Sequence, residues 1–297
     1  MTTLLIFGLG YSSVATVGAA GERYRRIVAT VRSPERAGTL SAQGVEGRPV
    51  TVRPFDGSSL SPELAAAIAE ADDVLVSAPP DETGDPVLKV CQAVLAARKP
   101  RAIVYLSTVG VYGDHQGGWV DETTPPKPVS PRSVERLEAE AAWAAFGTAQ
   151  GVPVAILRLA GIYGPGNNAL VNLRRGTARR IIKPGQVFNR IHVDDIAAAV
   201  LAAFAKRYDG IVNVTDDEPA PAQDVVSYAA ELIGLPVPPD IPIDQAGLSP
   251  MGLSFYGECK RVSNQRLKGE LSVNLLHPNF RKALQALAAG GDGQTHR

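Results

Sequence analysis

The sequence predicts a doubly wound parallel α/β sheet, and three observations lead there. Short apolar runs alternate with helical patterns from the first residues onward. Two glycines, Gly8 and Gly10, fall where the first run gives way to the first helix. At 297 residues the chain can bury a sizeable core and suits one to two domains. Such alternation implies right-handed crossovers. Ligands then bind beyond the carboxyl ends of the strands.

The apolar runs at 4–7, 27–31, 50–52, 74–76, 103–106 and 152–157 are read as strands, and 15–20, 61–71, 86–97 and 133–150 as the helices between them. The first strand ends in Gly8-Leu9-Gly10-Tyr11-Ser12-Ser13. Gly8 permits a tight turn, and Gly10 removes a side chain where a pyrophosphate must approach. The helix start offers N–H donors and positive dipole. Ser13 takes the place of a usual third glycine and is small enough for close helix–strand packing. An ordinary glycine turn is the competing account.

The second strand ends in Thr30-Val31-Arg32-Ser33-Pro34-Glu35-Arg36. An NAD site usually has Asp or Glu here for the ribose 2′-hydroxyl. Arg32 with Ser33 beside it suits a 2′-phosphate instead, which favours NADP over NAD. The alternative is a solvated Arg in a turn, and Glu35 is expected to begin the next helix. After the third strand Asp56, in Phe55-Asp56-Gly57, suits an Asx turn or a helix cap. After the fourth, Ser77-Ala78-Pro79-Pro80 should form a rigid wall.

The fifth strand runs from Ile103 through Ser107 into Thr108-Val109-Gly110-Val111-Tyr112-Gly113. A Pro-rich loop follows, and a helix opens at Pro131-Arg132-Ser133-Val134-Glu135-Arg136-Leu137-Glu138-Ala139-Glu140. This order resembles the extended short-chain dehydrogenase/reductases of the NAD-dependent epimerase/dehydratase type. These join a Ser/Thr-x-x-x-Tyr-Gly segment to a Tyr-x-x-x-Lys helix. Thr108 matches the Ser/Thr, Arg136 the Lys and Arg132 the Tyr. Arg158-Leu159-Ala160-Gly161-Ile162-Tyr163-Gly164-Pro165-Gly166 resembles the family's Arg-x-x-x-x-Tyr-Gly-Pro-Gly. Asn189-Arg190-Ile191-His192-Val193-Asp194-Asp195-Ile196-Ala197 resembles its Ile-His-Val-Asp-Asp helix start, and the segment from Cys259 to Leu267 its C-terminal region. The resemblance covers about residues 3–287 and is nearest to the atypical, Tyr-lacking YeeZ-like branch.

The resemblance implies a Rossmann-type fold with a small C-terminal substrate lobe. Residues 1–165 would bind the dinucleotide, 186–215 would return to that domain, and 166–297 would mainly form the lobe. It implies an NAD(P) cofactor and a small-molecule substrate. Asp56 would approach the adenine, and Ala78, Pro79 and Pro80 would line the cofactor. Ser107 would contact the cofactor, and Leu159 and Ala160 would lie near the nicotinamide. Thr108 would hold the substrate oxygen, and Arg136 would donate to the nicotinamide ribose. In the family the Tyr gives or takes the proton, and an Arg cannot, because its guanidinium keeps its proton at any working pH. Tyr112, Tyr163, His115 and Asp121 are the candidate replacement acids. Asp194 or Asp195 is expected as a helix N-cap. His192, with no second His or Cys near it in the chain, is expected to be structural.

Residues 132 and 136 lie one helical turn apart. Two guanidinium groups so placed repel, which predicts an anion beside Thr108 or internal neutralisation by Glu135 or Glu138. Merely solvated helix faces are the alternative.

Composition narrows the partners. Thirty basic and thirty acidic residues cancel, so no nucleic acid or membrane partner is expected. The apolar run 197–205 is too short to cross a bilayer. Cys91 and Cys259 offer neither a disulfide framework nor metal spacing and fit a reducing cytoplasm, each as a small buried hydrophobe. The first strand has no basic lead, so a signal peptide is not expected. The tail 290–297 should fray. Helices 86–97 and 133–150 could pair in a homodimer through Val87, Val90, Cys91, Val94 and Leu95 and the small Ala141, Ala144 and Ala145, or bury only against their own sheet. An oxidoreductase or epimerase/dehydratase-like enzyme on a small, anionic substrate is the first functional reading. A non-catalytic NAD(P)-binding sensor or scaffold is the second, and a plain structural domain the third.

Overall fold

The computed structural model describes residues 2–292. Strands β1 (Thr3–Phe7), β2 (Arg26–Val31), β3 (Thr51–Pro54), β4 (Asp73–Val76), β5 (Ala102–Thr108), β7 (Val154–Leu159) and β11 (Gly210–Val214) form one sheet. Its order is β11-β7-β5-β4-β1-β2-β3, and every pairing is parallel. The direction of winding reverses between β1 and β4, where ligand crevices open in such sheets.

Period-two alternation sorts the side chains of β1. Leu4 and Ile6 enter one core, while Leu5 and Phe7 enter the other. On the first face lie α1 (Tyr11–Ala19), α2 (Pro34–Gln43) and α7 (Val193–Lys206), with Val17, Ala37, Ile196 and Val200 buried among the strand residues. On the second lie α3 (Pro62–Glu70), α4 (Pro86–Arg98) and α5 (Pro131–Gln150), with Leu64, Cys91, Leu95 and Trp143 inside. Burying both faces requires near-continuous apolar strands, which is why these were legible as runs.

A separate small core joins α6 (Ala169–Arg174), α8 (Ala222–Leu232) and α11 (Phe280–Ala289) through Leu170, Ala229, Phe280 and Leu284. Three short parallel pairs lie outside the main sheet: β6 (Trp119–Val120) with β13 (Arg261–Val262), β8 (Gly161–Tyr163) with β10 (Arg190–His192), and β9 (Arg180–Ile182) with β12 (Asp240–Pro242). Two further short helices, α9 (Pro250–Tyr256) and α10 (Gln265–Gly269), follow, and Leu267 of α10 returns to the first sheet core.

Two expectations need correction. Neither Asp194 nor Asp195 caps α7. The cap is His192, whose Nδ1 accepts the Asp194 N–H at 3.2 Å. Asp195 is buried and accepts the N–H groups of Leu276 and His277. Of the tail expected to fray, Asp292 is held, accepting from Gly166 N–H and Asn168 Nδ2, while 293–297 lie outside the described residues. Cys91 is buried as expected, with its thiol pushed up to about 12 by burial and then by Asp85. Cys259 is half-buried, its Sγ 3.4 Å from the Gly185 carbonyl oxygen. Among the described residues no helix is long and apolar enough to cross a membrane.

Candidate cofactor and catalytic site

The Gly-rich loop sits at the carboxyl end of β1, beside the point where the winding reverses. Gly8 has φ +91°, and a Cβ there would lie 2.8 Å from the backbone nitrogen of Ala78. Only glycine fits both demands. A Cβ at Gly10 would meet nothing within 4 Å, so that side of the loop is open space. Ser13 is buried and donates to the Gly8 carbonyl at 2.8 Å, closing the turn from inside. Gly8 N–H in turn donates to Thr30 Oγ1 at 3.0 Å, and Leu9 N–H to the Thr30 carbonyl. Thr30 went unassigned in the sequence, because nothing in its spacing tells which way a strand-end hydroxyl turns.

The start of α1 differs from the helices that follow. Side chains of Ser33, Ser61, Asp85, Ser130, Asn168 and His192 cap α2 to α7. No side chain caps α1, and its first turn holds no acidic residue. A bare helix N-terminus over an open Gly10 fits a pyrophosphate, with the N–H groups as donors. Ser12 is buried, and Tyr11, half-exposed, donates to the Pro165 carbonyl at 2.9 Å, which joins this loop to the Tyr163-Gly164-Pro165 segment.

The other cofactor candidates are spread along the same strand ends. Arg32 is exposed beyond β2, and Ser33 beside it caps α2 by accepting Arg36 N–H. Asp56 forms an Asx turn with Ser58, whose hydroxyl and N–H hold its carboxyl below the usual range. Ala78 and Pro80 are half-buried and Pro79 is exposed, with Ala78 N–H bonded to the Phe7 carbonyl. Leu159 and Ala160 are buried in the first core.

At the end of β5, Thr108 is half-exposed and its Oγ1 accepts Gly110 N–H at 3.1 Å. Ser133 Oγ lies against Gly110, on the same spot that Thr108 Oγ1 approaches. Arg136 Nη1 donates to the Leu106 carbonyl at 2.7 Å and to Tyr105 Oη at 3.2 Å. Arg132 is exposed, with Nη1 3.5 Å from the Met251 sulfur on α9. Among the described residues no carboxylate lies within ion-pair distance of either arginine, so Glu135 and Glu138 do not neutralise them. The physical reason is that Arg136 is drawn to backbone and phenol oxygens on β5 instead.

Behind this stretch lies a buried network that the sequence did not announce. Ser107 donates to Glu140 Oε1, and Arg158 pairs with both Glu140 oxygens, closest at 2.7 Å. Arg158 also stacks 4.8 Å over the Tyr112 ring, and Tyr112 donates to Asn213 Oδ1 at 2.8 Å. Ser107 is thus committed to Glu140, a partner one turn beyond Arg136 on α5. That spacing was the available signal.

The candidate replacement acids have structural roles. Tyr112 is fully buried and tied to Asn213. His115 Nε2 meets the Tyr112 carbonyl at 3.1 Å, and Asp121 closes a turn with Thr123 and Thr124. Tyr163 is buried and its hydroxyl has no partner among the described residues. Its pKa is raised by burial first and then by Asp216, which leaves it a poor proton donor. His192 is not alone: His277 stacks on it with ring centroids 3.7 Å apart.

Comparison with known proteins agrees with this geometry. Residues 81–215 match the model of the NAD dependent epimerase/dehydratase family. A solved structure of a functionally unknown conserved protein from Silicibacter pomeroyi DSS is 45% identical, with TM-score 0.86, over 99% of this chain and 100% of that one. Protein YeeZ of Escherichia coli (strain K12) is 29% identical over 254 residues, 80% of this chain and 86% of its own length. A 3-diazoavenalumate denitrifying reductase from a Streptomyces species is 31% identical over 142 residues, 43% of this chain and 45% of its own length, so the match spans under half of that relative. Residues 81–215 thus carry an NAD dependent epimerase/dehydratase family domain, and the chain is similar over most of its length to YeeZ.

Proposed function

We propose that the chain is an NADP-preferring oxidoreductase whose reaction asks no proton of a tyrosine. One observation carries this reading. At the family's Tyr position stands Arg132, turned to Met251, and the acids considered as replacements are committed elsewhere or buried. When bound, the nicotinamide supplies the redox chemistry. Gly8, Gly10, Tyr11, Ser12 and Ser13 hold the pyrophosphate with the bare start of α1, and Arg32 with Ser33 holds the 2′-phosphate. Asp56, Ala78, Pro79 and Pro80 flank the adenosine half. Ser107, Leu159 and Ala160 support the nicotinamide end, where the free donors of Arg136 meet the ribose.

Thr108 orients the substrate, and Arg132 holds a carboxylate or phosphate on it. Reduction of a ketone leaves an alkoxide that needs a proton, and this site offers none. Substrates whose reduction yields no alkoxide fit it better. The name of the Streptomyces relative, a reductase of a diazo compound, is in keeping with that. Residues 1–165 with 186–215 make up the cofactor domain, and 166–297 mainly the substrate lobe, of a cytoplasmic protein. Ala141, Ala144 and Ala145 are exposed on α5 while Val90 and Val94 are half-buried on α4, which supports a homodimer through these helices. Val87, Cys91 and Leu95 are used by the chain's own core.

The missing acid also favours a second reading, a non-catalytic NAD(P)-binding sensor or scaffold. Oxidation of NADPH followed by absorbance, with neutral ketones against carboxylate-bearing diazonium and iminium compounds, separates them. Turnover of the second group alone is expected. Ketone reduction that disappears in Thr108→Ala refutes the first reading. Tight NADPH binding with no turnover of either group establishes the second.

A further inference from the structure

Arg132 stands beside a helix whose side chains the fold leaves unused. Ser133 Oγ and Thr108 Oγ1 lie 2.9 and 3.3 Å from where a Cβ on Gly110 would stand, so the first turn of α5 adjoins Thr108. From that turn Arg132 reaches outward, and its Nη1 lies 3.5 Å from the Met251 sulfur on α9. The α9 sequence, Pro-Met-Gly-Leu-Ser-Phe-Tyr, holds no charge, and none of its seven residues is buried. Met251 is 57% exposed and Phe255 61%. Four residues apart, they share the face of the helix that meets Arg132.

The helix is nevertheless held at both ends. Ser249 caps it by accepting the Gly252 N–H at 3.1 Å. At the other end the Tyr256 ring packs edge-on against Phe188, with centroids 5.1 Å apart, and Lys183 Nζ donates to the Tyr256 carbonyl. Gln186 Nε2 donates to the Glu258 carbonyl at 2.6 Å. The segment 183–188 thus fixes α9 and leaves Met251 and Phe255 to solvent. An apolar surface maintained in this way, next to a strand end where ligands bind, marks a contact site.

The charge beside this face is unbalanced. Among the described residues no carboxylate lies within ion-pair distance of Arg132, and α9 supplies none. One fixed cation against an uncharged apolar face complements a molecule with an anion at one end and an apolar body at the other. A carboxylate takes two N–H donors from a guanidinium. An aromatic ring suits the body, because a thioether sulfur favours ring edges, a Phe ring favours another ring edge-on or offset, and a guanidinium stacks on ring faces. A protein partner would need about 800 Å² on each side. Two side chains and one cation have the extent of a single ring.

We propose that Met251 and Phe255 select the substrate, which is a small aromatic carboxylate with its anion on Arg132 and its ring on the Met251–Phe255 face. This rests on the reading above that Arg132 holds the substrate's anion, and adds what holds the remainder. Specificity then resides in α9, far along the chain from the Thr108 segment.

The test uses the full chain with saturating NADPH and three matched probes followed by calorimetry: 3-phenylpropanoate, propanoate without the ring, and 3-phenylpropan-1-ol without the charge. The first should bind saturably, roughly tenfold tighter than either of the others. Met251→Ser and Phe255→Ser should each cut its advantage over propanoate by roughly threefold and leave propanoate itself unchanged. Arg132→Gln should weaken both carboxylates and spare the alcohol. All three side chains are exposed, and circular dichroism with NADPH affinity confirms that each variant is folded. A ring advantage that survives both serine substitutions together overturns the inference and leaves Arg132 as the anion site. Carboxylate binding unchanged in Arg132→Gln overturns the reading of Arg132 and the inference with it. So does an absence of saturable 3-phenylpropanoate binding.

Discussion

Two neighbouring groups of residues at the end of β5 are built on opposite plans. The inner group, Ser107, Glu140, Arg158, Tyr112 and Asn213, is buried and linked by hydrogen bonds, one ion pair and the stacking of Arg158 on the Tyr112 ring. The outer group, Thr108, Arg132 and Arg136, is half or fully exposed, and its arginines have no carboxylate partner among the described residues. The inner group keeps the strand, the helix and the loop in register. Arg132, exposed at the edge of the outer group, is then free to change chemistry with little cost to the fold, and an Arg in place of a proton donor is tolerable there. A buried charge without its partner would not be.

The sharpest way to break this contrast is Glu140→Ala. It leaves the Arg158 guanidinium buried and unpaired, and should cost about 3–5 kcal/mol in urea unfolding. A loss under about 1 kcal/mol would mean that the inner group is not what holds the segment.

The next effect concerns binding. Arg32→Ala should weaken NADPH by roughly 1.5–3 kcal/mol and leave NADH unchanged, read by fluorescence titration. Equal affinity of the unaltered protein for both dinucleotides would remove the NADP preference.

A pH effect tests burial directly. Asp216, just beyond Asn213, is 2% exposed, and burial raises its carboxyl from 3.8 to about 8. Between those values the folded chain holds a proton that the unfolded chain has released. Asp216 therefore lowers stability as pH rises, with a slope near 1.4 kcal/mol per pH unit at most, estimated as about one pKa unit of free energy. His192, lowered from 6.5 to about 4, acts in the opposite sense, losing stability as pH falls below 6.5. The window from 6.5 to 8 isolates Asp216. The downward slope there should vanish in Asp216→Asn, and a slope that persists unchanged would assign it to another group.

The smallest expected effect is Arg132→Ala, within about 0.5 kcal/mol of the unaltered protein in the same unfolding assay. A large loss would place Arg132 in the structural group after all.

The sequence alone determined the sheet, because strands buried on both faces must be apolar throughout, and helices between them must carry an apolar stripe. It also located the Gly8–Gly10 turn, since the required φ and close approach admit no side chain at Gly8. The exchange of Tyr for Arg132 was legible as well, through order and spacing within one segment. Only the tertiary structure decided the partners of side chains that are distant in the chain. Thr30 closes on Gly8 and Glu140 on Arg158, and Asp195 brings His277 onto His192. Each of these contacts depends on the angle at which separate elements pack, and no local periodicity encodes that angle. The roles of Tyr112, His115 and Asp121 were undecidable for the same reason: a side chain's proton chemistry follows from its burial and neighbours, which exist only once the chain has folded.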